Sequence, residues 1–193
     1  MSWSTVIAVV LVIVLFLVLF FCLYKAWRSR VYDSTGDLRG IRPVPFFSRE
    51  AFFGQWFEQG RIDSSYEPRE MTHVRANYSK NQDGTVRVIN TGFTHGEKKQ
   101  QKGFAFLTPT DGVLKVSFFP FVSAPLIVLD AEIDNHTGRY SSLVLGSSDR
   151  KYLWALSRSS APNPDLINHA LHIANHNQYE KQDLAKFHIV KQN

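Results

Sequence analysis

Cysteine is nearly absent: the 193 residues include one, Cys22. No intrachain disulfide can form, and no thiolate cluster can hold a metal. Charge is thin as well, with 22 Lys and Arg against 17 Asp and Glu, a net +5 spread along the chain. Such a diffuse excess suits an anionic lipid surface, where each cation lying close is worth roughly 1 kcal/mol. It forms no basic stripe and accompanies no recognition motif, so nucleic acid is not expected as a partner. There is no internal repeat, no low-complexity tract, no Ser-His-Asp order and no His-Glu-x-x-His pattern. Aromatic residues, by contrast, are plentiful at 13%, with 15 Phe, enough to line a sizeable core or an apolar cavity.

One long apolar run stands at the start. Val6 to Tyr24 reads VIAVVLVIVLFLVLFFCLY without a charge, close to the length that crosses about 30 Å of hydrocarbon. Trp3 and Trp27 flank it and Lys25, Arg28 and Arg30 follow. A cleaved signal peptide fits poorly, because MSWST carries no cation and no small-x-small site follows. A lipoprotein signal ending at Cys22 wants small residues where Phe20 and Phe21 stand. The expectation is an uncleaved single-pass anchor, residues 1–30. The cations after the run pull the downstream domain to the cytoplasmic side. Residues 31–45, rich in Gly, Pro and charge, read as a linker holding a domain (residues 46–193) off the membrane.

Beyond Phe46 the texture is short strands broken by polar turns. The expected strands are 55–62, 72–79, 85–93, 102–107, 113–119, 126–133, 140–145 and 152–158. Asn81-Gln82-Asp83-Gly84 and Asp134-Asn135-His136-Thr137-Gly138 are the clearest turns. Eight strands joined by hairpin-length loops favour an all-β fold, an eight-stranded antiparallel up-and-down β-barrel, which leaves no open edge. A helix follows, entered through Ser160 to Asp165 and periodic from Leu166 to about Asn177, then a last short strand at 187–190. Period-two parity puts Glu58, Gly60 and Ile62 on the face of Trp56. It aligns Val74, Ala76 and Tyr78; Val86 and Val88; Leu114, Val116 and Phe118; and Tyr152, Trp154 and Leu156. These rows face one another across a closed barrel, whose interior is either filled or holds one small ligand.

These residues carry a likeness. Gly54-Gln55-Trp56, Ala76-Asn77-Tyr78-Ser79, Val88-Ile89-Asn90-Thr91-Gly92-Phe93, Leu114 to Phe119 and Leu153-Trp154-Ala155-Leu156-Ser157-Arg158 follow one another as in the lipocalins. The chain from about Phe46 onward resembles that family, and within it the bacterial cell-envelope branch. The resemblance implies that Arg158 lies over Trp56 and, with Gly54, closes the blind end of the barrel as scaffold. It also implies a periplasm-facing domain, against the cation bias, so the side of the membrane stays open. Bacterial members are typically tethered through an acylated cysteine, and here a full span stands in that place. The loop Phe119 to Pro125 is more apolar than the family's usual version.

The expected function is a membrane-tethered binder of one elongated apolar ligand, a fatty acid or lysophospholipid first. The expected lining is Tyr78, Val86, Val88, Leu114, Val116, Phe118, Tyr152 and Trp154. A few lipocalins are enzymes, one through a cavity cysteine, but Cys22 lies in the apolar span. The chain is therefore read as no enzyme, without cofactor or metal, with a lipid-modifying enzyme and a filled-barrel interaction protein as the alternatives. Glu58 is read as a structural hydrogen-bonding group. His169, His172 and His176 share a helix face and are read as a water-facing stripe. Asn77-Tyr78-Ser79 and Asn135-His136-Thr137 match the glycosylation tripeptide by coincidence.

Overall fold

Eight antiparallel strands follow one another around a ring: β1 (Gly54–Ile62), β2 (Thr72–Lys80), β3 (Val86–Thr94), β4 (Glu97–Leu107), β5 (Val113–Phe119), β6 (Val122–Asp134), β7 (Arg139–Gly146) and β8 (Leu153–Ser157). In this computed structural model, which describes residues 2–32 and 34–192, β1 pairs with both β2 and β8. That double pairing closes the expected eight-stranded barrel and consumes the edges an open sheet would expose. Four helices accompany it: α1 (Trp3–Tyr32), α2 (Arg49–Phe52), α3 (Pro164–His176) and α4 (Lys181–Leu184). A ninth strand, β9 (Phe187–Ile189), adds to the last three residues of β1.

The hairpins form where side chains can satisfy the turning backbone. Asp83 Oδ1 accepts from Thr85 N at 2.9 Å and Thr85 Oγ1 at 2.6 Å. Asp134 Oδ1 accepts from His136 N at 2.8 Å. Two strands run longer than their apolar pattern. β4 begins at Glu97 instead of 102 and β6 at Val122 instead of 126. Residues 97–100 are exposed and polar, so no alternation marks them, but pairing with β3 from Val86 to Thr94 holds them in the sheet.

The apolar residues sort into two layers. Inside the barrel, Phe52, Trp56, Tyr78, Val86, Leu114 and Leu143 belong to one buried cluster. Outside it, Ile127, Val144, Leu153 and Ala155 meet the buried face of α3, Leu166, Ile167, Ala170 and Ala174. α3 starts where sequence reading puts it. Asn163 accepts from Leu166 N at 3.0 Å and Pro164 occupies the first turn. His169, His172 and His176 are exposed, and His169 turns toward Asp130 of β6.

Two expectations need correction. A register shift between Glu58 and Gly60 breaks the parity of β1. Gly60 and Ile62 therefore face outward, Ile62 in the outer cluster and Gly60 against Phe187 and Ile167. Arg61 turns inward, fully buried. The segment 34–45 is no spacer. Ile41 is buried in the outer cluster, Val44 N donates to Val128 O at 2.8 Å, and Lys115 Nζ donates to Ser34 Oγ at 2.6 Å. The mixed composition that suggested a linker also supplies the backbone donors and single apolar residues that let it lie along the barrel wall.

α1 is exposed from Ser2 to Leu23, and its apolar length suffices to cross a membrane.

Candidate ligand-binding site in the barrel

The lower end of the barrel is shut by three elements meeting at one arginine. Arg158, just past β8, stacks on the Trp56 ring with its guanidinium carbon 3.6 Å from the centroid. It donates to Tyr140 O at 3.1 Å, Gln55 O at 2.7 Å, Ala51 O at 2.8 Å and Phe53 O at 2.8 Å. These carbonyls belong to strand ends and to the last turn of α2, where no ladder partner remains. Trp56 Nε1 donates to Phe52 O at 2.9 Å. Gly54 has φ +109, and a Cβ there would lie 2.8 Å from Arg139 Nη2 and 3.1 Å from Arg158 Nη1. The Gly-x-Trp spacing thus admits two guanidinium groups beside the backbone while placing the indole beneath one of them.

Above this floor, Phe52 and Tyr78 meet with ring centroids 4.4 Å apart. Of the residues expected to line the barrel, Tyr78, Val86, Val88 and Leu114 are buried in the inner cluster. Val116, Phe118 and Trp154 are half-buried against it. Tyr152 lies outside β8 and stacks on Trp154 at 5.6 Å. Sequence reading missed Phe52, Val128, Tyr140, Leu143 and Leu145, which complete the inner cluster. β6 and β7 did show apolar runs, but a run apolar on both faces gives no parity, and register shifts interrupt both strands.

The upper half of the barrel holds polar groups. Arg61 Nη1 donates to Glu58 Oε1 at 2.6 Å, with both side chains at most 5% exposed. Arg61 also donates through Nε to Glu67 O at 3.1 Å and through Nη2 to Pro68 O. It thereby pins the loop joining β1 and β2, from which Glu67 Oε2 accepts Trp154 Nε1 at 2.9 Å. Burial foremost, then the Glu67 charge, push the Glu58 carboxyl up to about 8, although Arg61 pulls it down. Burial likewise raises the Tyr78 phenol well above its ordinary range. Asn90 shares the inward parity of Val86 and Val88, pairs with Ala76 on β2, and holds its Oδ1 buried without a hydrogen-bond partner.

The C-terminal segment completes the wall. β1 and β2 pair only from Gly54 to Phe57. Beyond that, Val190 N donates to Gln59 O at 3.0 Å and His73 N donates to Lys191 O at 2.7 Å. Gln192 Nε2 reaches Glu58 O at 2.6 Å and Val74 O at 3.0 Å. The tail therefore bridges the two strands where they diverge, a role no local pattern announces.

Among the described residues, cavities lie against α3 and against α1. One of about 620 Å³ separates α3 from β6 and β7, with His169 Nε2 2.7 Å from Asp130 Oδ2 at its rim. The other, about 270 Å³, lies between Tyr24 of α1 and Phe104, Phe118 and Phe119.

Comparison with known proteins agrees with this architecture. Residues 49–190 match the family model of the lipocalin-like domain. The chain is 35% identical over 160 residues to the outer membrane lipoprotein Blc of Escherichia coli, covering 80% of this chain and 84% of that protein. It is 33% identical over 132 residues to its Vibrio cholerae counterpart, covering 66% and 74%. Lobster apocrustacyanin A1 superposes with a TM-score of 0.55 at 18% identity, over 76% of this chain and 80% of that one, a likeness of fold.

Proposed function

The chain belongs to the lipocalin family, and from that premise we propose that it binds one elongated lipid in the upper barrel while α1 tethers it to the cell-envelope membrane. The observation that carries the reading is the make-up of the barrel interior: an aromatic floor sealed by Arg158, apolar walls, and the buried polar set of Glu58, Arg61 and Asn90 among them. An acyl chain would lie against Val88, Leu114, Val116 and Phe118, stabilised at about 25 cal/mol per Å² of apolar surface withdrawn from water. The head group would lie toward Trp154 and Asn90. Tyr78, Val86 and Tyr152 complete the proposed lining, while Gly54, Trp56 and Arg158 serve as scaffold.

Asn90 favours a lysophospholipid over an ionised fatty acid. Its buried Oδ1 accepts a hydrogen bond, which a glycerol hydroxyl supplies and a carboxylate does not. Arg61 is committed to Glu58 and to the mouth loop, so it serves as frame.

Native mass spectrometry of the full chain released from micelles tests the reading. A single saturable lysophospholipid adduct is expected, and Val116→Trp is expected to abolish it while leaving the far-ultraviolet spectrum unchanged. An adduct that survives that substitution, or none at any chain length, would count against a lumen site and favour a filled barrel.

A further inference from the structure

The barrel's other rim lies at the end opposite Arg158. That rim is formed by the β1–β2 loop, the β3–β4 hairpin at His95 and Gly96, the β5–β6 hairpin at Pro120 and Phe121, and the β7–β8 loop. The β2–β3 hairpin, which carries Asp83, lies at the closed end. α1 touches both ends in a fixed order. Arg28 Nη2 is bonded to Asp83 Oδ2 at 2.8 Å. Trp27, one residue earlier, meets Phe106 of β4 at 5.8 Å and Phe121 at 5.7 Å between ring centroids. Tyr24 and then Phe20 meet Phe121, at 6.1 Å and 5.5 Å. Moving toward the N-terminus of α1 is therefore moving from the closed end of the barrel to its rim. The residues from Trp3 to Phe20 continue past the rim for about 26 Å at the helical rise. They are exposed throughout.

The rim beside α1 suits what that helix would sit in. Phe119 is 59% exposed, Phe121 40% and Val122 61%, a greasy tip on a hairpin of an otherwise soluble-looking wall. The neighbouring β3–β4 hairpin reaches further and carries exposed Lys98, Lys99 and Lys102 against Glu97. Aromatic groups at head-group depth with cations beside them are the composition of an interfacial contact. The closed-end hairpins carry Asp83, Asp111 and Asp134 instead. The β1–β2 and β7–β8 loops, across the barrel from α1, are mostly polar, with Tyr66 exposed among them.

Resting on the reading of α1 as a membrane span, we infer that the barrel is held mouth-down on the bilayer from which it emerges. The β5–β6 tip reaches head-group depth and the lumen opens onto the leaflet. A lipid ligand then passes between leaflet and barrel without crossing water. The partner of this surface is the lipid bilayer itself, preferentially an anionic one.

Paramagnetic relaxation from the membrane surface reads this directly. The full chain, carrying Cys22→Ser and a nitroxide at either Val122→Cys or His136→Cys, is reconstituted into vesicles of phosphatidylethanolamine and phosphatidylglycerol doped with a gadolinium-chelating lipid. His136 sits on the closed-end β6–β7 hairpin and is exposed, as is Val122, so neither label disturbs the core. The expected result is a relaxation enhancement several-fold larger at position 122 than at 136. Equal enhancement at the two positions, or a larger one at 136, in protein that resists alkaline carbonate extraction would overturn the orientation and leave the anchor standing. Release by carbonate would overturn the anchor, and the orientation with it.

Discussion

Two residues inside the barrel are placed where chemistry, not packing, decides their effect. Asn90 Oδ1 is buried and unpartnered. Replacing it with leucine removes an acceptor at little cost in volume, so the fold should tolerate Asn90→Leu. If a glycerol hydroxyl occupies that oxygen, lysophospholipid binding falls about fivefold, the equivalent of about 1 kcal/mol for one hydrogen bond. Palmitate binding, read by the same titration, stays unchanged. Glu58 gives the second case. Its carboxyl is raised from 4.5 to about 8, chiefly by burial. The folded chain therefore holds a proton that the unfolded chain gives up between those values, and stability attributable to this group falls as pH rises through that window. Glu58→Gln cannot titrate. Melting of the two proteins from pH 5 to 8 should diverge, the wild type losing at most about 1.4 kcal/mol per pH unit relative to the variant. Parallel curves would show that Arg61 keeps Glu58 ionised throughout.

At the scale of elements, the strands were legible because each carries its own signal. Asp83 and Asp134 mark their turns chemically, and Val86-Arg87-Val88 and Leu114-Lys115-Val116 alternate cleanly, so the hairpins and much of the inner apolar cluster could be read in advance. What could not be read depends on contacts far apart in sequence. The register shift after Glu58 brings Gly60 against β9 and α3, where a Cβ would sit 2.7 Å from the Phe187 ring and 2.9 Å from Ile167. Parity counted along β1 alone therefore assigns Gly60 and Ile62 to the lumen and Arg61 to solvent, each to the wrong side. Arg61, the cation of the polar set, was hidden by the same shift. The tail is a further instance, for Gln192 in isolation is an unremarkable polar residue near the end of the sequence. Its amide closes the gap between Glu58 O and Val74 O. Gln192→Ala should cost about 1–2 kcal/mol for two lost hydrogen bonds. The loss should be local: amide exchange at His73 and Val74 accelerates more than at Val86 or Val88, because opening there needs only the mouth of the β1–β2 pair to separate.

For the molecule as a whole, the question is whether anchor and barrel move as one body. Sequence reading put a linker between them. The packed segment 34–45 and the aromatic contacts of α1 argue for a fixed relation. The magnitudes say which contact holds it. The Arg28–Asp83 pair is 33% and 50% exposed in its side chains, and exposed ion pairs are worth about 0.2–1 kcal/mol before salt screening. Trp27 meets two rings, Phe106 edge-on and Phe121 tilted, each worth about 0.5–1.5 kcal/mol beyond the area buried. The tryptophan should therefore dominate although the ion pair is the shorter contact. With nitroxides at the exposed Cys22 and at Gln82→Cys, pulsed dipolar spectroscopy of the full chain should give a narrow distance distribution. Arg28→Ala should leave its width nearly unchanged at physiological salt, while Trp27→Ala should broaden it severalfold. The opposite ranking would mean that the barrel rides on an electrostatic hinge, and its mouth would then be free to turn from the bilayer as ionic strength rises.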